Sequence, residues 1–151
     1  MDDYRDAIAS CCRQLRLSAN LADNAFAIEG ETHQEYLYNL LSKEIKCRKA
    51  ARIGKLINSA GFPVQHNFAA FHPDEVQFPS GVTPESLKAL EFFHAGNNLV
   101  MYGSTGTGKT MLSICIGMEA CRSGIPVKFF RTASLINQLS ETQERGSLAQ
   151  F

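Results

Sequence analysis

Apolar positions recur at helical spacing in two stretches of the first sixty residues, 2–17 and 33–59, and then give way to short apolar runs. Within 2–17, Ile8, Cys11, Cys12 and Leu15 recur at helical spacing, which predicts a first helix. The stretch 17–32 is looser and contains Gly30, with a short helix expected over 21–28. Thr32 and Glu35 stand at the spacing of a capping box, in which each side chain satisfies a backbone N–H beside the other. A long helix is therefore expected from His33 to about Ser59, stopped by Gly61 and Pro63. Its apolar residues make two stripes rotated about the axis. The first is Leu37, Leu40, Leu41 and Ile45; the second is Ile53, Leu56, Ile57 and Ala60.

Residues 61–84 hold four of the five prolines (Pro63, Pro73, Pro79, Pro84), interleaved with Phe62, His66, Phe68, Phe71 and His72. This reads as a linker whose Phe68, Phe71 and Phe78 pack on the domain C-terminal to it. Thr83 is placed to cap a helix from Pro84 through Phe93, with Gly96 as its stop. Asn98–Tyr102 is an apolar run suited to a buried strand. Met111 to Cys121 has no proline and reads as a helix ended by Gly124 and Pro126. Val127-Lys128-Phe129-Phe130 reads as a second, parallel strand. Ser134 to Glu144 reads as a last helix with Leu135, Ile136 and Leu139 facing the core. The expected class is α/β: a helical N-terminal region over 1–62, a Pro/Phe-rich linker over 63–84, and the beginning of a parallel α/β sheet of about two strands over 85–151.

Length and composition add bounds rather than chemistry. At 151 residues the chain has room for one domain and a small second one. Neither a signal-peptide pattern nor an apolar run near the roughly 18 residues of a membrane span is visible, so a cytoplasmic protein is expected. The five cysteines (Cys11, Cys12, Cys47, Cys115, Cys121) include no C-x-x-C pair and read as reduced thiols packing as small hydrophobes. The histidines His33, His66, His72 and His94 match no metal spacing.

Lys+Arg and Asp+Glu are equal at 15 each, but the charge is unevenly placed. Residues 1–40 carry seven acids against three bases; residues 41–62 carry six bases (Lys43, Lys46, Arg48, Lys49, Arg52, Lys55) against Glu44 alone. Lys46, Arg48, Lys49 and Arg52 point in several directions around the helix, leaving only Cys47, Ala50 and Ala51 as a small-residue face. A segment with bases most of the way round is hard to bury. It is either a solvated charged helix or a surface for polyanion, with Lys43, Lys46, Arg48, Lys49, Arg52 and Lys55 as candidate DNA contacts.

The strongest chemical signal is Gly103-Ser104-Thr105-Gly106-Thr107-Gly108-Lys109-Thr110, which fits the phosphate-binding loop G-x-x-x-x-G-K-[ST]. Gly106 and Gly108 lack Cβ, so the backbone can turn tightly and approach a ligand. The N–H groups of Gly106, Thr107 and Gly108 are expected to form an anion nest, backed by the positive end of the following helix. Lys109 is expected to reach the β- and γ-phosphates of ATP, and the Thr110 hydroxyl to ligate Mg²⁺. Phe71, Val76 and Phe78 are candidates to cover the adenine base, with plain core packing as the alternative.

Together these residues resemble the IstB-like ATPases, helper proteins of bacterial insertion sequences related to DnaC-type helicase loaders. The resemblance runs from Leu15-Arg16-Leu17 through the basic helix ending in Ala60-Gly61-Phe62-Pro63. It continues through Phe68-Ala69-Ala70-Phe71, Leu90-Glu91-Phe92-Phe93, the glycine loop, Ile116-Gly117-Met118-Glu119-Ala120-Cys121 and Val127–Phe130, to Leu135–Leu139 and Gly146-Ser147-Leu148. It implies an AAA+ phosphate-loop ATPase domain behind a helical domain that meets DNA, ATP-dependent homo-oligomerisation, and delivery of target DNA to a transposase. Two local departures stand at Ser104-Thr105, where the family often has proline, and at Met111, where it often has histidine; neither removes a phosphate donor. Family members also continue well past this point, through the acid that holds Mg²⁺, the sensor and the arginine finger. The chain is therefore expected to be the N-terminal part of such an ATPase, with no catalytic acid of its own. Two other functions stay open: a helicase loader whose N-terminal helices grip a helicase, and a non-catalytic remnant.

Overall fold

The computed structural model describes residues 2–72 and 76–147. Pro73 of the linker and Leu148 lie outside the described residues. The chain divides into two compact units, Met1–Gly54 and Lys55–Phe151.

The first unit is built from α1 (Asp2–Gln14), α2 (Leu21–Ala27) and most of α3 (His33–Ala60). The helix α1 ends three residues earlier than its apolar spacing predicts. Arg16 takes a left-handed φ of 54°, and Leu17 N–H donates back to Cys12 O at 2.8 Å, which closes the helix. Cys12, Leu21 and Ala22 are buried where α1 meets α2. At the start of α3 half of the expected capping box forms: Glu35 N–H donates to Thr32 Oγ1 at 3.1 Å, but the Glu35 carboxylate accepts at 2.9 Å from Glu31 N–H, one residue before the expected Thr32. The Tyr36 hydroxyl then ties the helix to α2 by donating to Ala25 O at 2.7 Å.

Glu44 on α3 is 3% exposed, although a carboxylate is rarely buried unless paired. Its partners explain it. Ser18 N–H donates to Oε1 at 2.8 Å, Ser18 Oγ–H donates to Oε2, and the Arg48 guanidinium lies 3.3 Å from Oε1. Arg48 also donates to Arg16 O, so it fastens the turn after α1 to α3.

The second unit holds a short 3₁₀ turn (Phe68–Ala70), α4 (Pro84–Lys88), α5 (Glu91–His94), α6 (Lys109–Arg122) and α7 (Thr132–Glu144). Its core gathers Phe71, Leu87, Leu90, Leu112, Ile116 and Ala120, with Phe68 and Phe78 packed against them as expected of the linker. Thr83 caps α4 through a box shared with Ser86. The single helix expected over Pro84–Phe93 is two, because Leu90 sits left-handed at φ 59°. That break turns Leu90 into the core, where it is 2% exposed.

The expectation of a parallel α/β sheet is overturned: among the described residues every regular element is a helix and no strand forms. A strand exists by pairing, and these two runs do not pair. Asn98–Tyr102 is extended with Leu99 and Met101 turned to the core, while Val100 and Tyr102 are 81% and 94% exposed. The two-residue alternation is present without a ladder. In Val127–Phe130 the N–H of Phe129 goes to Ala60 O at 2.8 Å, and Lys128 Nζ donates to Ser59 O at 2.7 Å. Both satisfy carbonyls at the end of α3, which have no partner within the helix. The core face expected of α7 also differs: Leu135 and Leu139 are half-buried, but Ile136 is exposed.

The helix α6 is the centre of this unit, with Ile114, Cys115 and Cys121 almost wholly buried. Gly117 lets Phe62 lie against it: a Cβ there would fall 2.8 Å from the Phe62 ring. Phe62 in turn meets Phe129, with ring centroids 6.0 Å apart. No helix among the described residues is long and apolar enough to cross a membrane.

Candidate functional site

The segment Gly103–Thr110 leads from the extended run 98–102 into the first turn of α6. Its three glycines are needed for their backbone: Gly103, Gly106 and Gly108 have φ of 141°, 89° and 76°, a region costly for residues with a Cβ. Gly108 is the N-cap of α6, so the loop delivers Lys109 to the first helical position. Among the described residues, no protein acceptor meets the N–H groups of Gly106, Thr107 and Gly108. Three adjacent free donors at a helix start are a concentration of positive potential.

Lys109 closes the loop on itself. Its Nζ donates to Ser104 O at 2.6 Å, to Gly103 O at 3.0 Å and to Thr107 Oγ1 at 3.2 Å, while the Thr107 hydroxyl donates to Ser104 O at 3.0 Å. Lys109 is half-buried, as are Thr107 and Gly108; Gly103, Ser104, Thr105, Gly106 and Thr110 are exposed. The cation is thus held within the loop by two carbonyls and a hydroxyl, acceptors that it can exchange for an anion's oxygens.

A cavity of about 650 Å³ adjoins the loop, with Gly103, Thr107, Gly108 and Lys109 forming its polar end. The remaining wall is mainly apolar, including Val76, Phe78, Val82, Leu99, Met101 and Leu112. Its size lies within the range of small-molecule sites. Two of the three residues considered for a base, Val76 and Phe78, are in this wall. Phe71 is in the core behind the loop, where a Cβ on Gly108 would come 4.0 Å from its ring. Sequence reasoning missed Leu99, Met101 and Leu112; the alternation through 98–102 was the available signal for the first two.

The basic residues divide between the units. Lys43, Lys46, Arg48, Lys49 and Arg52 are on α3 within the first unit, and Lys55 is in the second. Arg48 differs from the others because Glu44 and Arg16 O already engage it. Lys43, Lys46, Lys49 and Arg52 follow one another at three-residue steps, so each neighbours the next along the helix surface.

Among the described residues these features define a helical chain whose second unit carries a glycine loop, with a lysine at the head of that unit's central helix and a cavity beside it. The family described as IstB-like ATP binding protein matches residues 14–151, and the chain belongs to that family. Similar proteins come from bacterial insertion sequences. One, described as an ATP-binding protein of insertion sequence IS5376 in Geobacillus stearothermophilus, is 30% identical over 150 residues, covering 95% of this chain and 59% of the relative. Another, described as ATP-binding and lying in an insertion sequence of Mycobacterium tuberculosis, is 28% identical over 140 residues, covering 89% of this chain and 55% of the relative. A third, from an IS21-like element of Bacteroides fragilis, is 25% identical over 130 residues, covering 82% of this chain and 49% of the relative. The chain spans about half the length of the curated relatives it matches.

Proposed function

We propose that this chain binds ATP at Gly103–Thr110 and serves as an ATP-binding helper of DNA transposition. The observation that carries the reading is the loop itself: three glycines at positive φ, free N–H groups at the start of α6 and the Lys109 ammonium held on the loop's own carbonyls. The donor set suits a polyphosphate. Gly106, Thr107 and Gly108 would supply N–H groups, Lys109 a point charge for the outer phosphates, and the exposed Thr110 hydroxyl a ligand for Mg²⁺. Bound Mg²⁺ would neutralise phosphate charge; the chain's own part is to bind and orient the phosphates. That Val76 and Phe78 line the cavity supports a role for them in covering the base. The names of the relatives, ATP-binding proteins of insertion sequences, support nucleotide as ligand and transposition as setting.

The DNA-facing part of the reading rests on α3. Lys43, Lys46, Lys49 and Arg52 form a run of cations along the helix surface whose attraction to phosphates is independent of base sequence. Lys55 adds a cation in the second unit, and Arg48 contributes less because Glu44 holds it. A transposase and further copies of the chain complete the proposed partners.

Titration with ATP, ADP and AMP in the presence of Mg²⁺ tests the nucleotide reading. Affinity is expected to fall from the triphosphate to the monophosphate, because the loop grips phosphates. Equal affinity for all three would show that the loop is not the binding element.

A further inference from the structure

The cavity beside the glycine loop is lined by polar side chains from two places. Thr107 and Lys109 belong to the loop, where Lys109 Nζ donates to Thr107 Oγ1 at 3.2 Å. Away from the loop, the polar side chains in the wall are those of Gln77 and Tyr102. Gln77 stands between Val76 and Phe78; these two pack against the core of the second unit, while Gln77 itself is exposed. Among the described residues, no group hydrogen-bonds to Gln77. Its carboxamide therefore brings a free donor and a free acceptor, side by side, to a wall that is otherwise mainly apolar. The Tyr102 hydroxyl is less discriminating, because it rotates to suit a donor or an acceptor alike.

We propose, resting on the nucleotide reading above, that Gln77 determines specificity by reading the N6/N7 edge of adenine. With the phosphates on the loop and the base against Val76 and Phe78, the faces of the base meet apolar groups and its edges are left to hydrogen-bond. On that edge the adenine N6 amino group donates and N7 accepts. A carboxamide complements both at once, with Oε1 accepting from N6–H and Nε2–H donating to N7. Guanine offers two acceptors there, O6 and N7. The carboxamide can donate to one of them, but its Oε1 is then set against the lone pair of the other. The glycine loop cannot make this distinction, because ATP and GTP carry the same triphosphate. Gln77 supplies the choice of base, and the loop supplies the grip on phosphate. A guanidinium at position 77, with two parallel donors, would match guanine instead.

Calorimetric titration of the 151-residue chain with Mg²⁺ and ATP, GTP or 7-deaza-ATP, in which C–H replaces N7, tests the proposal. Wild type is expected to bind ATP about tenfold or more tighter than GTP, and 7-deaza-ATP more weakly than ATP. In Gln77→Ala both preferences should vanish while the helical circular dichroism stays unchanged. Gln77→Arg should turn the ratio toward GTP; any uniform gain from the added charge cancels in that ratio. Lys109→Ala separates the two claims, since it should weaken ATP and GTP alike and leave their ratio as in wild type. Nucleotide binding with no preference for ATP, or a preference that Gln77→Ala leaves unaltered, would overturn the proposal and leave the loop as the phosphate site. Absence of binding for every nucleotide would overturn the nucleotide reading, and this proposal with it.

Discussion

At position 117 a side chain has no space that the Phe62 ring does not already fill, since the nearest ring atoms lie 2.8 Å from where a Cβ would stand. Two effects therefore compete in Gly117→Ala. Alanine favours the helix by about 1 kcal/mol, whereas forcing a buried contact costs about 1–3 kcal/mol. Gly117→Ala alone is expected to destabilise the protein, and the same change in a Phe62→Ala background to stabilise it, as read by urea unfolding. The same sign in both backgrounds would remove the Phe62 contact from the explanation. Glu44 gives a second residue-scale expectation: Glu44→Ala strands the Ser18 donors and Arg48 together, for a loss of about 1–3 kcal/mol in the first unit. Burial raises the thiol pKa of Cys115 and Cys121 above the ordinary 9.0, with Glu119 adding to the rise at Cys115. A raised folded-state pKa means that the neutral thiol's contribution is whole below about pH 9 and is lost as pH climbs through the folded value. Stability should therefore decline on the alkaline side, and Cys115→Ala with Cys121→Ala should flatten that decline; an unchanged slope would contradict the assignment.

At the scale of elements, what was legible in the sequence is what local chemistry fixes. Thr32 with Glu35, Thr83 before Pro84, and Gly124 after α6 are signals within a few residues of the ends they set, and each of those ends falls near its expected place. The break at Leu90 was not legible, because no glycine or proline marks it; burial of its side chain outweighs the unfavourable left-handed backbone. The strands failed for a different reason. Alternation along 98–102 records which side chains are buried, but pairing depends on residues far away in sequence, and the Phe129 N–H is spent on α3. Hydrogen exchange separates these cases: the Phe129 amide should be protected, while the amides of Val100 and Tyr102 should exchange at rates close to those of an unfolded peptide. Equal strong protection across 98–102 would mean that a ladder exists. The glycine loop was legible residue by residue, whereas the neighbouring cavity depended on packing that no motif encodes.

Across the whole molecule, the zero formal charge conceals a basic stretch on α3 and a loop with free N–H donors at the start of α6. If α3 meets DNA, replacing Lys43, Lys46, Lys49 and Arg52 by glutamine should weaken binding alike for all sequences. The salt slope should also fall by about one for each phosphate left unneutralised. Unaltered affinity and slope would leave α3 as a solvated helix. If the loop binds nucleotide, Lys109 is the residue on which that binding turns. The most direct measurement is calorimetric titration of ATP with Mg²⁺ into wild type and Lys109→Ala, with thermal unfolding confirming that both are folded. The expected result is saturable binding by the wild type that falls about tenfold or more in Lys109→Ala, as removal of a charge-assisted hydrogen bond implies. Equal affinity in the two proteins would mean that the loop does not bind the nucleotide.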